Sequence, residues 1–246
     1  MSTVSIVDAK FVDRLINGKY RVKMPAFLAA HDSFDNWERE RFDSMEKNLK
    51  QGDVLFDVGA ETGHMSAIYA RFVGAENMVL FEPNPDNWQN IKATWDVESL
   101  ATPRATVCAL VGNRNSVEAD FDTSQENGWP VVALTGQIWT PRSFRYIHEH
   151  AARTPQISID VFVATRGIAP SAITIDVEGA ELEVLKGALL TLQECRPLVW
   201  VSVHEEFMRR DYGRELKDIA SLMVSSEYYG EYLATDHEAH WLYRPY

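Results

Sequence analysis

Short apolar runs of strand length alternate along this chain with stripes of helical period. Val54–Val58, Met78–Glu82, Ala105–Val111, Ala172–Val177 and Leu198–Val203 read as five strands. Helices are predicted from Gly63 to Phe72, over Trp88–Trp95, over Ala180–Glu194 and over Arg214–Ser225. Tyr229–Thr235 and Ala239–Tyr243 read as two closing strands, antiparallel to each other. The alternation predicts an α/β fold: a doubly wound, Rossmann-like sheet of seven strands, the first five parallel, with helices on both faces. In such a sheet ligands bind at the carboxyl ends of the strands.

The pattern is weaker at both flanks of this frame. Residues 1–32 show no clear period. A helix is predicted from Ser33, with Ser33 as its cap, Phe34, Trp37, Phe42, Met45 and Leu49 as its apolar stripe, and Gly52 as its end. Residues 1–50 are therefore read as an N-terminal cap that covers the sheet or lids a ligand, and residues 51–246 as the α/β domain. Residues 112–150 form a long irregular stretch, and loops of that length in compact domains are often functional. Val131–Leu134 and Gln156–Asp160 read as an edge hairpin. Trp129, Trp139, Phe144 and Tyr146 form either an acceptor pocket or a small satellite core.

Composition removes several classes. The 246 residues contain no apolar run of membrane-spanning length, and the N-terminus shows no basic segment followed by an apolar block, so a cytoplasmic protein is expected. Cys108 and Cys195 are too few for a disulfide framework, and neither belongs to a C-x-x-C pair, so structural zinc is not expected. A net charge of −12 opposes binding to nucleic-acid phosphates. The thin basic clusters Arg142–Arg145 and Arg209-Arg210 read as solvated surface.

The candidate chemistry lies in Val54-Leu-Phe-Asp-Val-Gly-Ala-Glu-Thr-Gly63 and Leu80-Phe-Glu-Pro-Asn84. Each reads as a strand ending in a carboxylate, the first followed by a glycine turn and a helix. An acid about 20 residues beyond such a turn can hold two ribose hydroxyls. Gly59 and Gly63 are spaced G-x-x-x-G, not G-x-G-x-x-G, and Asp57 beside them would repel a pyrophosphate. A cofactor with an ammonium group suits Asp57 instead. S-adenosylmethionine fits: its ammonium meets Asp57 and its ribose diol meets Glu82, with Asn84 near the adenosine. Gly59 and Gly63 keep side chains out of its way, or serve only as a turn of positive φ. The tip Cys108–Leu110 holds no acid, so the adenine is expected against backbone and apolar atoms at Ala109.

Together with Ile175-Asp-Val-Glu-Gly-Ala-Glu-Leu-Glu-Val-Leu-Lys-Gly187 and Ser158-Ile-Asp-Val161, these motifs resemble the FkbM family of S-adenosylmethionine-dependent methyltransferases over roughly residues 50–205. The resemblance implies the class I methyltransferase fold and O-methylation of a hydroxyl on a small molecule or glycan, commonly a sugar or polyketide-like acceptor. The family's usual Asn is Glu61 here, in the turn facing the methionine end of the cofactor. A carboxylate there would crowd the cofactor's own, so Glu61 either points away or pairs with a basic group.

Asp176 and Glu178 stand two apart at the end of the fourth strand, on one side of it. Three roles compete: general base for the acceptor hydroxyl, ligation of Mg²⁺, or cofactor positioning by Asp176 with Glu178 capping the next helix. His204, ending the fifth strand, is the other base candidate, since an ordinary imidazole pKa near 6.5 suits proton abstraction. Glu205 reads as an orienter or a solvated side chain, His64 as packing and Lys186 as a solvated helix face. Two rivals remain: a nicotinamide-dependent oxidoreductase, which lacks its glycine fingerprint here, and a non-catalytic cofactor-binding protein. The sequence fixes neither the acceptor nor the oligomeric state.

Overall fold

The computed structural model describes residues 10–30, 34–116, 125–130 and 154–246. It opens on a hairpin that the pattern of residues 1–32 conceals. β1 (Phe11–Ile16) pairs antiparallel with β2 (Tyr20–Pro25). The turn between them places Asn17 and Gly18 at φ of 56° and 68°, and Asn-Gly is the dipeptide best suited to such a turn. A short helix α1 (Ala26–Ala29) and a 3-10 turn over Phe34–Asn36 lead to α2 (Arg39–Asn48). The helix therefore starts later than expected. Ser33 lies outside the described residues, and Glu38 takes a φ of 44° just before Arg39.

The chain continues through β3 (Leu55–Val58), α3 (His64–Val73), β4 (Met78–Phe81), α4 (Asn87–Glu98) and β5 (Ala105–Val107). The strand expected to reach Val111 breaks at Cys108–Ala109. Leu110–Val111 (β6) leaves the main sheet, β7 (Gln125–Glu126) and β8 (Trp129–Pro130) form a small antiparallel pair, and β6 pairs parallel with β9 (Gln156–Ile157). Val131–Leu134, the expected hairpin partner of 156–160, lies outside the described residues. After β9, the Ser158 hydroxyl accepts from Val161 N at 3.2 Å and caps α5 (Ile159–Arg166). That helix is hidden in sequence by the strand-like alternation before it.

β10 (Ala172–Ile175) precedes α6 (Glu181–Lys186) and α7 (Leu189–Glu194), two helices where the stripe predicts one. Gly187 marks the break: a Cβ there would lie 2.0 Å from the Gly112 carbonyl oxygen, so the chain needs glycine for close packing. β11 (Leu198–Val203), α8 (Glu205–Phe207), a π turn over Met208–Tyr212, α9 (Leu216–Ser225), β12 (Tyr228–Thr235) and β13 (Ala239–Pro245) complete the chain.

The main sheet has seven strands in the order β12-β13-β11-β10-β3-β4-β5. The five from β11 to β5 are parallel; β13 runs antiparallel to β11, and β12 antiparallel to β13. The chain leaves β3 toward β4 and returns on its other side as β10, so the topological switch lies between β3 and β10. Alternation along the strands divides the side chains. Leu55, Leu80, Ala172 and Trp200 share a core with Val22 and Met24 of β2 and with Phe42 and Met45 of α2, so the segment before residue 51 packs into the sheet's own core. Phe56, Phe81 and Ile173 face the other way, where Phe56, Phe81 and Phe162 meet at centroid distances of 5.1–5.6 Å. Among the described residues no helix is long and apolar enough to cross a membrane.

Gly59 sits where β3 touches β10: its φ is 101°, and a Cβ would lie 1.9 Å from the Asp176 carbonyl oxygen. Gly167, at φ 64°, has nothing within 4 Å of the same position. Gly59→Ala should therefore lower unfolding stability by about 2–4 kcal/mol, and Gly167→Ala by only about 1 kcal/mol. Urea unfolding of both variants measures the difference; equal losses would contradict this packing.

Candidate active site

A cavity of about 890 Å³ opens at the carboxyl ends of β3, β4 and β10, at the switch point. Asp57, Glu61, Glu82, Asn84, Ala109 and Asp176 all line it. Glu82 follows β4 and is 5% exposed. Its carboxylate accepts from Glu61 N at 2.9 Å, Asn84 N at 2.8 Å and Asn87 Nδ2 at 3.2 Å. Burial outweighs these donors and pushes its pKa up to about 8. Asn84 Oδ1 accepts from Asp86 N at 3.0 Å, which fixes the turn into α4.

Asp57 is 4% exposed and lies on the strand face toward α2. Burial pushes its pKa up to about 6, against the pull of the Ser66 hydroxyl and the Arg41 guanidinium. Among the described residues, neither Asp57 Oδ2 nor Ser66 Oγ completes a hydrogen bond by distance and angle, so Asp57 Oδ2 is a buried acceptor on the cavity wall open to a ligand donor. The two glycines act differently from the reading that they clear room for a ligand. Gly59 does line the cavity, but backbone of this chain fills the space its side chain would take. Gly63 is not on the cavity wall; a Cβ there would lie 3.0 Å from Ile91 Cα. Both need positive φ, at 101° and 79°.

Arg41, 2% exposed, is the cation at the centre of the site, and the sequence reading overlooked it. Its guanidinium bonds Asp176 Oδ2 at 3.1 Å, Thr174 Oγ1 at 2.5 Å and the Glu38 carboxylate. Asp176 continues the face of Thr174, which is why both reach α2. Burial, then the charge of Glu238, push the Asp176 carboxyl up to about 6. Burial pushes Glu178, at φ 55°, up to about 8.

His204 does not behave as an ordinary imidazole. Its Nδ1 lies 2.7 Å from Glu181 Oε1, and its Nε2 lies 3.0 Å from Glu238 Oε2, 3.5 Å from Glu178 Oε2 and 3.7 Å from Asp176 Oδ1. Burial opposes its charge, but the hydrogen bonds to Glu181 and Glu238 and the nearby carboxylates outweigh it and push its pKa up to about 12. These carboxylates favour the charged ring, against the ordinary imidazole pKa on which the reading of His204 as a base rests. His204 is not among the residues that line the cavity.

Glu38, His237 and Glu238 complete the cluster. Glu38 N donates to Asp236 Oδ2 at 2.9 Å, and Trp37 packs on His237 at 4.4 Å, which joins the segment before α2 to the β12–β13 turn. Asp176, Glu178 and His204 each offer a ligand atom within 4.8 Å of the others, as do Glu38, His237 and Glu238, so either trio could hold a cation. Of the remaining residues, His64 is buried, 2.7 Å from Thr62 Oγ1, with burial lowering its pKa to about 4, and it also lines the cavity. Lys186 does not sit on an open helix face; it lines the cavity and pairs with Glu183 at 2.7 Å. Trp129 packs on Trp95 at 6.1 Å and is not on the cavity wall. Trp139, Phe144 and Tyr146 lie outside the described residues.

The geometry can be set beside known proteins. A model of the methyltransferase FkbM domain matches residues 57–233. The hexuronic acid methyltransferase AglP of Haloferax volcanii is 28% identical over 185 residues, covering 74% of this chain, and the chain spans 65% of that protein's length. A crystal structure of methyltransferase FkbM from Methylobacillus flagellatus KT superposes with a TM-score of 0.52 at 19% identity, over 80% of this chain and 44% of that one. The match runs from Asp57 into β12, over more than half of the sequence, and the chain belongs to the FkbM methyltransferase family.

Proposed function

We propose that this chain transfers a methyl group from S-adenosylmethionine to a hydroxyl of a sugar-type acceptor. One observation carries the reading: a buried Asp57 oxygen without a hydrogen-bond partner among the described residues shares a cavity with Glu82, and the two suit an ammonium and a ribose diol. The sugar acceptor draws support from the relative named for hexuronic acid methylation. S-adenosylmethionine would supply an electrophilic methyl group at its sulfonium centre.

The chain's own residues do the rest. Asp57 holds the ammonium, Glu82 the ribose hydroxyls, and Ala109 and Leu110 flank the adenine side. Glu178 takes the acceptor's proton. It is the cavity carboxylate with the higher pKa of the strand-end pair, and Arg41 already occupies Asp176. A carboxylate with a raised pKa is the stronger proton acceptor once ionised. The His204 imidazolium holds Glu178 and Asp176 apart and in place. Much of the rate then comes from aligning the hydroxyl oxygen with the methyl carbon. A divalent cation such as Mg²⁺ is the second reading, favoured by the trio of ligand atoms at Asp176, Glu178 and His204.

Three outcomes follow from these roles. Ribose hydroxyls donate to ionised Glu82, which is largely protonated below its pKa of about 8. S-adenosylhomocysteine affinity, by calorimetry, should therefore rise as pH climbs through 8, and Glu82→Gln should weaken it about a hundredfold and flatten the profile. Unchanged binding in the variant would refute the assignment. With cofactor saturating, turnover should increase along a limb near pH 8 that Glu178→Gln abolishes, while His204→Gln keeps the limb but moves it to higher pH, because the His204 charge lowers the Glu178 pKa; loss of the limb in His204→Gln with its retention in Glu178→Gln would make His204 the base. Turnover should persist after exhaustive chelation. Loss restored by added Mg²⁺ would favour the cation reading.

A further inference from the structure

The two ends of the cavity differ in how their charges are matched. Around the inner end, among the described residues, the cations face carboxylates: Arg41 bonds Glu38 and Asp176, His237 meets Glu238 at 3.1 Å, and His204, off the lining itself, bonds Glu181 and Glu238. At the outer end Lys186 pairs with Glu183. Arg114, in the segment after β6, and Arg214, ahead of α9, also line the cavity; both are exposed, and neither forms an ion pair with another described residue.

These three cations come from segments that pack against one another. The end of α6 abuts the segment carrying Arg114, since a Cβ on Gly187 would lie 2.0 Å from the Gly112 carbonyl oxygen. The start of α6 abuts the segment carrying Arg214: a Cβ on Gly179 would lie 3.0 Å from Met208 N, and the Met208 carbonyl accepts from Arg214 N at 3.1 Å. α6 therefore joins the two segments that carry Arg114 and Arg214, both exposed on the cavity lining and without an ion pair among the described residues. Its six residues span roughly 9 Å by helical rise. Glu178 stands just before one end and Lys186 at the other.

A chain with net charge −12 repels anions at long range. Unmatched arginines at a cavity mouth reverse that locally, and the planar guanidinium fork grips carboxylate or phosphate through paired hydrogen bonds. Resting on the methyl-transfer reading, the geometry points to an acceptor bearing an anionic group, carboxylate or phosphate, held at the mouth by Arg114 and Arg214 while its hydroxyl reaches Glu178. The neutral remainder of the acceptor lies along α6. The cofactor is held elsewhere, at Asp57 and Glu82, so the anion subsite and the cofactor subsite can be probed separately.

The test is calorimetry on the full chain with S-adenosylhomocysteine present, using methyl glucuronoside, glucose 6-phosphate and methyl glucoside as probes. At least one charged sugar should bind tenfold or more tightly than methyl glucoside. Arg114→Gln with Arg214→Gln should erase that preference and leave S-adenosylhomocysteine affinity unchanged. Preference for the glucuronoside assigns a carboxylate, and preference for the phosphate assigns a phosphoryl group. Equal binding of all three sugars, or an anion preference that survives the double variant, overturns the proposal. Failure of the unaltered chain to bind S-adenosylhomocysteine would instead sink the methyl-transfer reading, and the sugar ranking on the free protein would still report on the arginines.

Discussion

Carboxylates buried at the ends of adjacent parallel strands are the constraint around which this molecule is arranged. Asp57 and Glu82 close β3 and β4 at 4% and 5% exposure, and Asp176 closes β10 beside them. A carboxylate removed from water must gain hydrogen bonds, a counter-charge or a proton. The fold answers differently at each strand. Glu82 receives two backbone N–H groups and the Asn87 amide. Asp176 receives Arg41 from α2. Asp57 keeps one oxygen with no partner among the described residues, and that exception is what turns a strand end into a candidate binding group.

Two of the cluster's cations, Arg41 and His237, come from outside the stretch that the family model matches. Arg41 and Glu38 precede residue 57, while His237 and Glu238 follow residue 233. The matched stretch carries the strand-end carboxylates and His204; the flanking segments bring the guanidinium and a second imidazole. Asp236 accepts from Glu38 N, and Trp37 packs on His237, so the two flanks are joined to each other across the cavity as well as to the sheet. Removing a cation from such a cluster would strand several buried acids at once, and the cluster is expected to respond as a unit to any change in its charge.

What the sequence revealed followed the range of the interactions involved. The five parallel strands, their order of appearance and the carboxylates at their ends were legible, because alternating runs and glycine turns are local signals. The Asn17-Gly18 turn was equally local, yet β1 carries exposed Leu15 and charged neighbours, which blur its period. α5 was hidden because Ser158 was read as part of a strand when it caps a helix. Arg41 could not be found by period or spacing: it sits beside Phe42 on a helix that looks merely amphipathic, and its partner Asp176 is 135 residues away. The state of His204 was illegible for the same reason, since four separate carboxylates decide it.

The central claim is that the unsatisfied Asp57 oxygen and the Glu82 carboxylate hold the two ends of one nucleoside-bearing cofactor. A crystal structure of the chain grown with S-adenosylhomocysteine tests it most directly. The account predicts the ligand ammonium within hydrogen-bond distance of Asp57 Oδ2 and both ribose hydroxyls on Glu82. A ligand seated elsewhere, with Asp57 Oδ2 still lacking a partner, would contradict it.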